Sequence, residues 1–456
     1  MIERNSAVGD TAVTAPAVSS DVLEDRIADV LARASERGAS AAEAGATAAN
    51  GLTVTVRLGE VDVLEYQRDR GLGVTVYFGQ RKGSASSVDL SPDALRATVD
   101  KACSIARFTA EDDCAGLADA ARMPAEIQDL DLCHPWPLTP EAAIDLATSC
   151  EAAALAVDDR ISNSEGATVS TTQGLRAYGN SHGFIGSFAR THHALSCSVL
   201  GRNASDMQRD GWYSVARHAA ELEAAKAVGE AAARRTLQRL GARKIPTGAA
   251  PVLFTAETAR GLLGHFLGAI GGGAQYRRAS FLLDAEGRQV FPDFVTMRER
   301  PHLLRGLASA AFDAEGVATR DRDLVAGGVL QGYILDSYSA RKLGRETTGN
   351  AGGIHNLLVG DTGQDRDTLL RTMGRGLLVT ELMGQGVNGV TGDYSRGATG
   401  FWVEDGALAY PVQEITIAGN LLDMLSNIIA IGADVDARGA IRTGSLLVER
   451  MTIAGD

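Results

Sequence analysis

No cysteine lies beyond residue 197 of this 456-residue chain, and the five that occur, Cys103, Cys114, Cys133, Cys150 and Cys197, are odd in number and irregularly spaced. That pattern excludes a disulfide framework and fits a reducing compartment. Aromatic side chains are scarce, at 5%. Apolar runs of ~18 residues are missing, so no membrane span is expected. The start, Met1 to Asp10, is polar and lacks the apolar centre of a signal peptide. A cytoplasmic location is the expectation. Positive charge is also in deficit: 44 Lys and Arg face 57 Asp and Glu, a formal charge of −13. A negative field repels phosphate backbones, which argues against nucleic acid as a partner. Arg234-Arg235 and Arg277-Arg278 read as solvated or ion-paired surface.

Familiar catalytic signatures are missing as well. A zincin helix needs two histidines at i and i+4 with a glutamate beside the first. The helix after residue 254 offers only Glu257 and His265, eight residues apart and about 12 Å along the axis, too far to share one ion. His192 and His193 are adjacent, so an extended chain sends them to opposite faces. His302 and His355 are isolated. Gly271-Gly-Gly273 is not followed by Gly-Lys-Ser/Thr, and Gly71-x-Gly73 lacks a third glycine, so neither reads as a phosphate or dinucleotide loop. The stretch around Ser187 is no nucleophile elbow. Asp313-Ala-Glu315-Gly316 places two carboxylates together, which could divide acid and base work but reads first as a turn with solvated acids. Asp393, Glu404, Asp405 and Glu414 read the same way.

Glycine is abundant: 52 residues, 17 of them between Asp321 and Gly400. Such a stretch cannot form one long helix and suits turn-rich sheet. Periodicity predicts a helix from Ser20 or Asp21 to about Arg37, then strands at 52–58, 61–66 and 71–79. Ser91-Pro-Asp-Ala and Thr139-Pro-Glu-Ala predict helices to about Phe108 and Ala156. Residues 109–137 read as a long connection, and 159–211 as further strands. A long helix is expected over 215–240, a strand at 251–254, and a helix from Thr255 or Ala256 to Ala269 that the triple glycine breaks. Asn420 caps an expected helix to about Ala430, and the residues after Gly444 read as a closing strand.

The expected fold class is α+β. Residues 1–18 form a loose tail, 19–240 an N-terminal α/β domain with an antiparallel sheet and packed helices, and 241–250 a boundary. Residues 251–456 form a glycine-rich, mainly antiparallel β domain.

Several segments, in order and spacing, resemble one family over nearly the whole chain. They are Gly71-Leu-Gly-Val-Thr-Val-Tyr-Phe-Gly-Gln-Arg-Lys-Gly-Ser-Ala-Ser86, Phe312-Asp-Ala-Glu-Gly-Val-Ala-Thr319, Gly397-Ala-Thr-Gly-Phe-Trp-Val-Glu404, Tyr410-Pro-Val-Gln-Glu-Ile-Thr-Ile-Ala-Gly-Asn420 and Arg442-Thr-Gly-Ser-Leu-Leu-Val-Glu-Arg-Met-Thr-Ile-Ala-Gly455. The chain resembles the PmbA/TldE branch of the TldD/PmbA (peptidase U62) metallopeptidase family. The TldD-like branch carries a His-Glu-x-x-x-His helix and a later cysteine ligand. Here the matching helix reads Thr255-Ala-Glu-Thr-Ala-Arg-Gly-Leu-Leu-Gly-His265, and no later cysteine exists.

The resemblance implies a non-catalytic subunit of a heterodimeric zinc peptidase that acts on unfolded peptides. It implies no cofactor in this chain, zinc in a TldD-like partner, and a homodimer when the partner is absent. Glu257, Arg260 and His265 would mark the remnant of the metal site. Asp313, Glu315, His355 and Asn356 would belong to the peptide chamber. Two other readings stay open: an independent hydrolase with dispersed residues such as His302, His355, Asp313 and Glu315, and a homodimeric peptide-binding scaffold.

Overall fold

The computed structural model describes residues 18–204 and 206–455. The expected tail, 1–18, lies outside the described residues except for Val18. The chain divides into two compact units. One holds the chain up to Phe78 with Gly83–Phe108 and Asp131–Gln238; the other holds Gly79–Lys82, Thr109–Leu130 and Arg239–Asp456.

The first unit begins with α1 (Ser20–Glu36), whose Ser19 hydroxyl accepts from the Val22 amide at 3.4 Å. Leu23, Ile27, Val30 and Ala34 recur at helical spacing and are buried. Then come β1 (Ala41–Arg57), β2 (Glu60–Phe78), β3 (Arg81–Ser87), α2 (Pro92–Phe108) and α3 (Pro140–Leu155). They are followed by β4 (Ile161–Asn180), β5 (Ile185–Arg202), β6 (Met207–Ala216) and α4 (Ala225–Gln238). The six strands form one sheet in the order β3-β2-β1-β4-β5-β6. Two apolar clusters line it: α1 and α2 cover Ala42, Ala44, Ala46 and Ala48, while α3 and α4 cover Leu52, Val54 and Val56.

Three local expectations need correction. β1 starts eleven residues before Leu52, at Ala41. Alanine is a weak strand former, but its small side chain lets helices sit close on the sheet, and that packing overrides propensity. β2 runs unbroken through Gly71 and Gly73, so the second and third expected strands are one. The expected 215–240 helix begins only at Ala225. Its first part pairs with β5 as far as Ala216 and then makes a 3-10 turn, Ala219–Glu221, capped by His218.

His192 and His193 do face opposite ways across β5, and His193 is fully buried. His193 Nε2 donates to the His134 carbonyl at 3.0 Å, so its Nδ1 accepts the Thr171 hydroxyl at 2.8 Å. Burial holds its pKa below the usual range, against the pull of the His134 carbonyl; His192, His218 and His134 add to the lowering. Burial, with Arg217 and Arg190, lowers His192 too. A depressed folded pKa means that the unfolded chain takes the proton first. Stability is therefore complete above about pH 6.5, the unfolded value, and is lost as pH falls through the folded value. Between pH 7.5 and 5.5 the melting temperature of the wild type should fall more than that of His193→Gln; equal slopes would remove this assignment.

The second unit contains β7 (Gly248–Phe254), α5 (Ala256–Ala269), α6 (Gly272–Tyr276), β8 (Met297–Glu299), β9 (Arg322–Ala326) and β10 (Val329–Leu330). It continues with α7 (Ser337–Lys342), β11 (Leu357–Val359), α8 (Arg366–Met373), β12 (Gly376–Met383), β13 (Asp393–Glu404) and β14 (Ala407–Asn420). It ends with α9 (Leu421–Ser426), β15 (Ile428–Ile431), β16 (Ile441–Arg442) and β17 (Leu446–Ala454). One sheet runs β14-β13-β12-β7-β17-β15, and an added β14–β17 pairing closes five of its strands into a ring. All its pairings except β7–β12 are antiparallel. β7 is buried on both faces: Val252 and Phe254 join the main core, and Leu253 meets α8 residues Leu369, Leu370 and Met373. That explains its unbroken apolar run. A second sheet runs β10-β9-β8-β11-β16.

The helix expected to reach Ala430 ends at Ser426, because Ile428–Ile431 is drawn into pairing with β17. The segment Thr109–Leu130, read from sequence as a connection, is part of this second unit. The Arg341 guanidinium donates to the carbonyls of Cys114 at 2.9 Å and Gly116 at 3.0 Å, and the Tyr338 hydroxyl donates to Asp112 at 2.8 Å. Among the described residues no helix is long and apolar enough to cross a membrane.

Candidate functional site

α5 leaves β7 at Thr255 and turns Leu262, Leu263 and Phe266 into the core. Its first turn presents Glu257 and Arg260 toward the loop between β15 and β16. Arg438 of that loop donates from Nη2 to Glu257 Oε1 at 2.8 Å and from Nε to Asp436 Oδ1 at 2.9 Å. Arg260 meets Asp436 Oδ2 at 3.1 Å and donates to the Arg438 carbonyl at 3.1 Å. Two guanidinium groups and two carboxylates thus alternate over one patch. Burial pushes the Asp436 carboxyl up, but Arg438 and Arg260 outweigh it and hold the group below the usual range. Burial likewise opposes the charge on Arg438, and Asp436 and Glu257 overcome it. Asp436→Asn keeps the shape but removes the charge between two arginines. It should lower stability by roughly 1.5 kcal/mol in urea unfolding, the lower end for hydrogen bonds to charged groups; no change would mean that the patch is solvated.

His265, two turns on, is not part of this patch. Its ring lies edge-on to Tyr394, 6.0 Å between centroids. Burial, then Arg396, lowers its pKa. Burial pushes the Tyr394 phenol up to about 12, and its hydroxyl is buried with no hydrogen-bond partner among the described residues.

Of the other predicted residues, His355 meets a glutamate that the sequence did not single out. Glu299, at the end of β8, is 2% exposed. Its Oε1 accepts from the Asn350 amide at 2.7 Å, the His355 backbone N–H at 2.8 Å and His355 Nδ1 at 3.1 Å. Its Oε2 accepts from Arg322 Nε at 2.7 Å. Burial raises its pKa, but the His355 bond and the Arg322 charge prevail and leave it lowered. The group is an anion here, so His355 Nδ1 is the donor.

Asp313 accepts the backbone N–H groups of Glu315 at 2.8 Å, Val317 at 2.9 Å and Ala351 at 2.9 Å. Glu315 accepts the Ser337 N–H at 2.9 Å, at the start of α7. Burial raises the pKa of both carboxyls. The Asn356 amide donates to the Arg300 carbonyl at 3.0 Å and the Ser309 hydroxyl at 2.7 Å and accepts from the Ala308 N–H at 3.1 Å, on a backbone at φ 34°. His302 Nε2 lies 3.0 Å from the Thr319 hydroxyl. That hydroxyl spends its proton on the Ala310 carbonyl at 2.6 Å, so His302 donates. These side chains fix loop backbone. Their spacing in sequence gave no sign of Glu299, because a buried glutamate on a three-residue strand has no pattern of its own.

A zinc ion does not fit the donors present. Among the described residues no three of His, Cys, Asp and Glu converge to hold a metal. Against a His-Glu-x-x-x-His pattern, Ala256-Glu257-Thr-Ala-Arg-Gly261 keeps the glutamate but has alanine and glycine where imidazoles would stand. A side chain at Gly261 would enter open space, and the two nearby carboxylates, Glu257 and Asp436, are already paired with Arg438 and Arg260. A cation gains nothing from two guanidinium groups beside it.

Comparison with known proteins places these features in context. The PmbA/TldA metallopeptidase domain 1, central domain and C-terminal domain match residues 42–106, 133–240 and 247–455. The metalloprotease PmbA of Escherichia coli O157:H7 is 49% identical over 434 residues, covering 95% of this chain and 96% of that protein. A crystal structure from Bacteroides thetaiotaomicron, described as a candidate modulator of DNA gyrase, superposes with a TM-score of 0.91 at 27% identity, over 96% of this chain and 100% of that one. The fold is also that of TldE from Thermococcus kodakarensis, with a TM-score of 0.81 at 19% identity, over 94% of this chain and 100% of that one.

Proposed function

Because the chain belongs to the PmbA/TldD metallopeptidase family, we propose that it is the TldE/PmbA-like, non-catalytic subunit of a heterodimeric TldD–TldE zinc peptidase acting on unfolded peptides. The observation that carries this reading is the first turn of α5. There Glu257 is committed to Arg438 and Arg260 to Asp436, and the histidine positions of a metal helix hold Ala256 and Gly261. In this reading the patch is the remnant of a ligand site, and zinc resides in the TldD-like chain.

The present chain supplies walls for an extended peptide. In this reading glycine-rich backbone of the C-terminal unit presents N–H and C=O groups to a strand laid against it. Asp313, Glu315, His355 and Asn356 act as positioning residues that hold the loops of the C-terminal unit. Their engagement by backbone donors also weighs against an independent hydrolase built on Asp313 and Glu315. The test is reconstitution. The purified chain, a purified TldD-like chain and their equimolar mixture are assayed on an unstructured peptide and by sedimentation. The mixture should sediment as a complex and cleave, and this chain alone should not. Robust cleavage by this chain alone, or no complex at micromolar concentration, would overturn the proposal.

A further inference from the structure

Arg442 is a half-buried cation without an anion among the described residues. It ends β16, the two-residue edge strand of the second sheet. Its Nε is buried and has no hydrogen-bond partner, and no carboxylate or ring among the described residues meets the rest of the guanidinium. The two Nη groups, also without an acceptor, are not closed off. Other arginines of this unit differ: Arg322, Arg438 and Arg260 each meet a carboxylate, at 2.7, 2.8 and 3.1 Å. An arginine cannot shed its proton to escape burial. Burial alone, with no charge of either sign, lowers the pKa of Arg442, so its desolvation is uncompensated.

Register shows what stands beside it. Leu358 of β11 is opposite Arg442, Arg298 of β8 opposite Leu358, and Asp323 of β9 opposite Arg298. Residues directly opposite share a face, so these four form one row. Ile441, Leu357, Glu299 and Arg322 form the row of the other face. The only acid of the first row, Asp323, is held by Arg298 at 3.1 Å, and Arg298 itself is two strands, about 10 Å, from Arg442. The row thus offers one unclaimed positive charge next to a half-buried leucine. A phosphate dianion calls for several converging cations or N–H groups, and the net charge of −13 adds to its repulsion. A carboxylate is a planar monoanion that matches the fork of one guanidinium. We infer that Arg442 takes one carboxylate of an extended peptide, gripped end-on by its two Nη groups, with Leu358 against the residue that bears it. The peptide as bearer rests on the peptidase-subunit reading; the carboxylate does not.

Two measurements on the full chain alone separate these parts. The first is the melting temperature in acetate and in chloride, each at ~100 mM sodium salt. Acetate should raise the wild type by about 1 °C more than Arg442→Met, which keeps an apolar stem and drops the charge. In chloride Arg442→Met should melt no lower than wild type, since no partner is lost; an arginine that served the fold would cost stability on removal. The second is calorimetric titration with a short unstructured peptide free of Asp and Glu. It is used with a free C-terminal carboxylate, as the C-terminal amide, and as the amide with one internal Glu. One or both carboxylate forms should bind about 10-fold tighter than the plain amide, and Arg442→Met should erase the difference. The form that gains tells whether Arg442 holds a chain terminus or an acidic side chain. Equal acetate responses in the two proteins, a clear loss of stability in Arg442→Met, equal affinity for all three peptides, or a preference that survives the substitution would each overturn the inference. An acetate response without any peptide binding would overturn the peptide as the bearer and count against the peptidase-subunit reading.

Discussion

Replacing Glu299 by alanine will lower the stability of the second unit by roughly 3–5 kcal/mol, the cost of leaving a buried cation without its anion. Arg322 would keep its bonds to the Tyr333 carbonyl at 2.9 Å and to Asn350 at 2.8 Å, but its charge would lose the carboxylate 2.7 Å away. The Asn350 amide and the His355 backbone would lose an acceptor at the same time. Glu299→Gln should cost less, because it retains an acceptor. The effect also has a pH signature. The folded pKa of Glu299 is lowered, so its contribution is complete above the unfolded glutamate value of about 4.3 and is lost as pH falls through the folded value. Urea unfolding at pH 7 and at pH 4 and below tests both points: the gap between wild type and Glu299→Gln should shrink in acid. A loss under ~1 kcal/mol for alanine at pH 7 would show that Glu299 is not the hub.

Gly229→Ala should come next in size. A Cβ at this position would sit 2.0 Å from the Cys150 carbonyl oxygen and 3.1 Å from the Ala154 nitrogen. Both are backbone atoms of α3, so no side chain can rotate away, and α3 and α4 must separate. Their contact is built from small residues, Ala147, Cys150, Ala154, Ala232 and Ala233, that tolerate no gap. Overpacking of this kind costs up to about 3 kcal/mol. Gly264→Ala is the control. It lies on an exposed face of α5 with nothing within 4 Å, so it should gain up to about 1 kcal/mol from helix propensity. Thermal denaturation of the pair decides it: equal effects would mean that helix propensity, and not the helix crossing, governs Gly229.

Much of this was legible in the sequence. The helix start at Thr139, the amphipathic stripe of α1 and the final strand are local patterns, and each leads directly to the element formed, although the cap of α1 is Ser19 and not Ser20 or Asp21. The α+β class followed from them. Partnership across the fold was not legible. Ala41–Gly51 is a strand because two helices cover it, and 217–224 is not a helix because β5 draws the preceding residues into the sheet. The site shows the same division. Glu257 and Arg260 were visible as polar residues on an apolar helix. Asp436 and Arg438, some 180 residues away, were not. Glu299 was hidden because its partners, Arg322, Asn350 and His355, come from three separate segments and converge only after folding.

As proposed above, the first turn of α5 holds arginine–carboxylate pairs in place of metal ligands. Dialysis of the purified chain against buffered, low free zinc, followed by elemental analysis, tests it most directly. Far less than stoichiometric zinc is predicted, unchanged by Glu257→Ala or His265→Ala. A stoichiometric, tightly held ion that either substitution releases would contradict it.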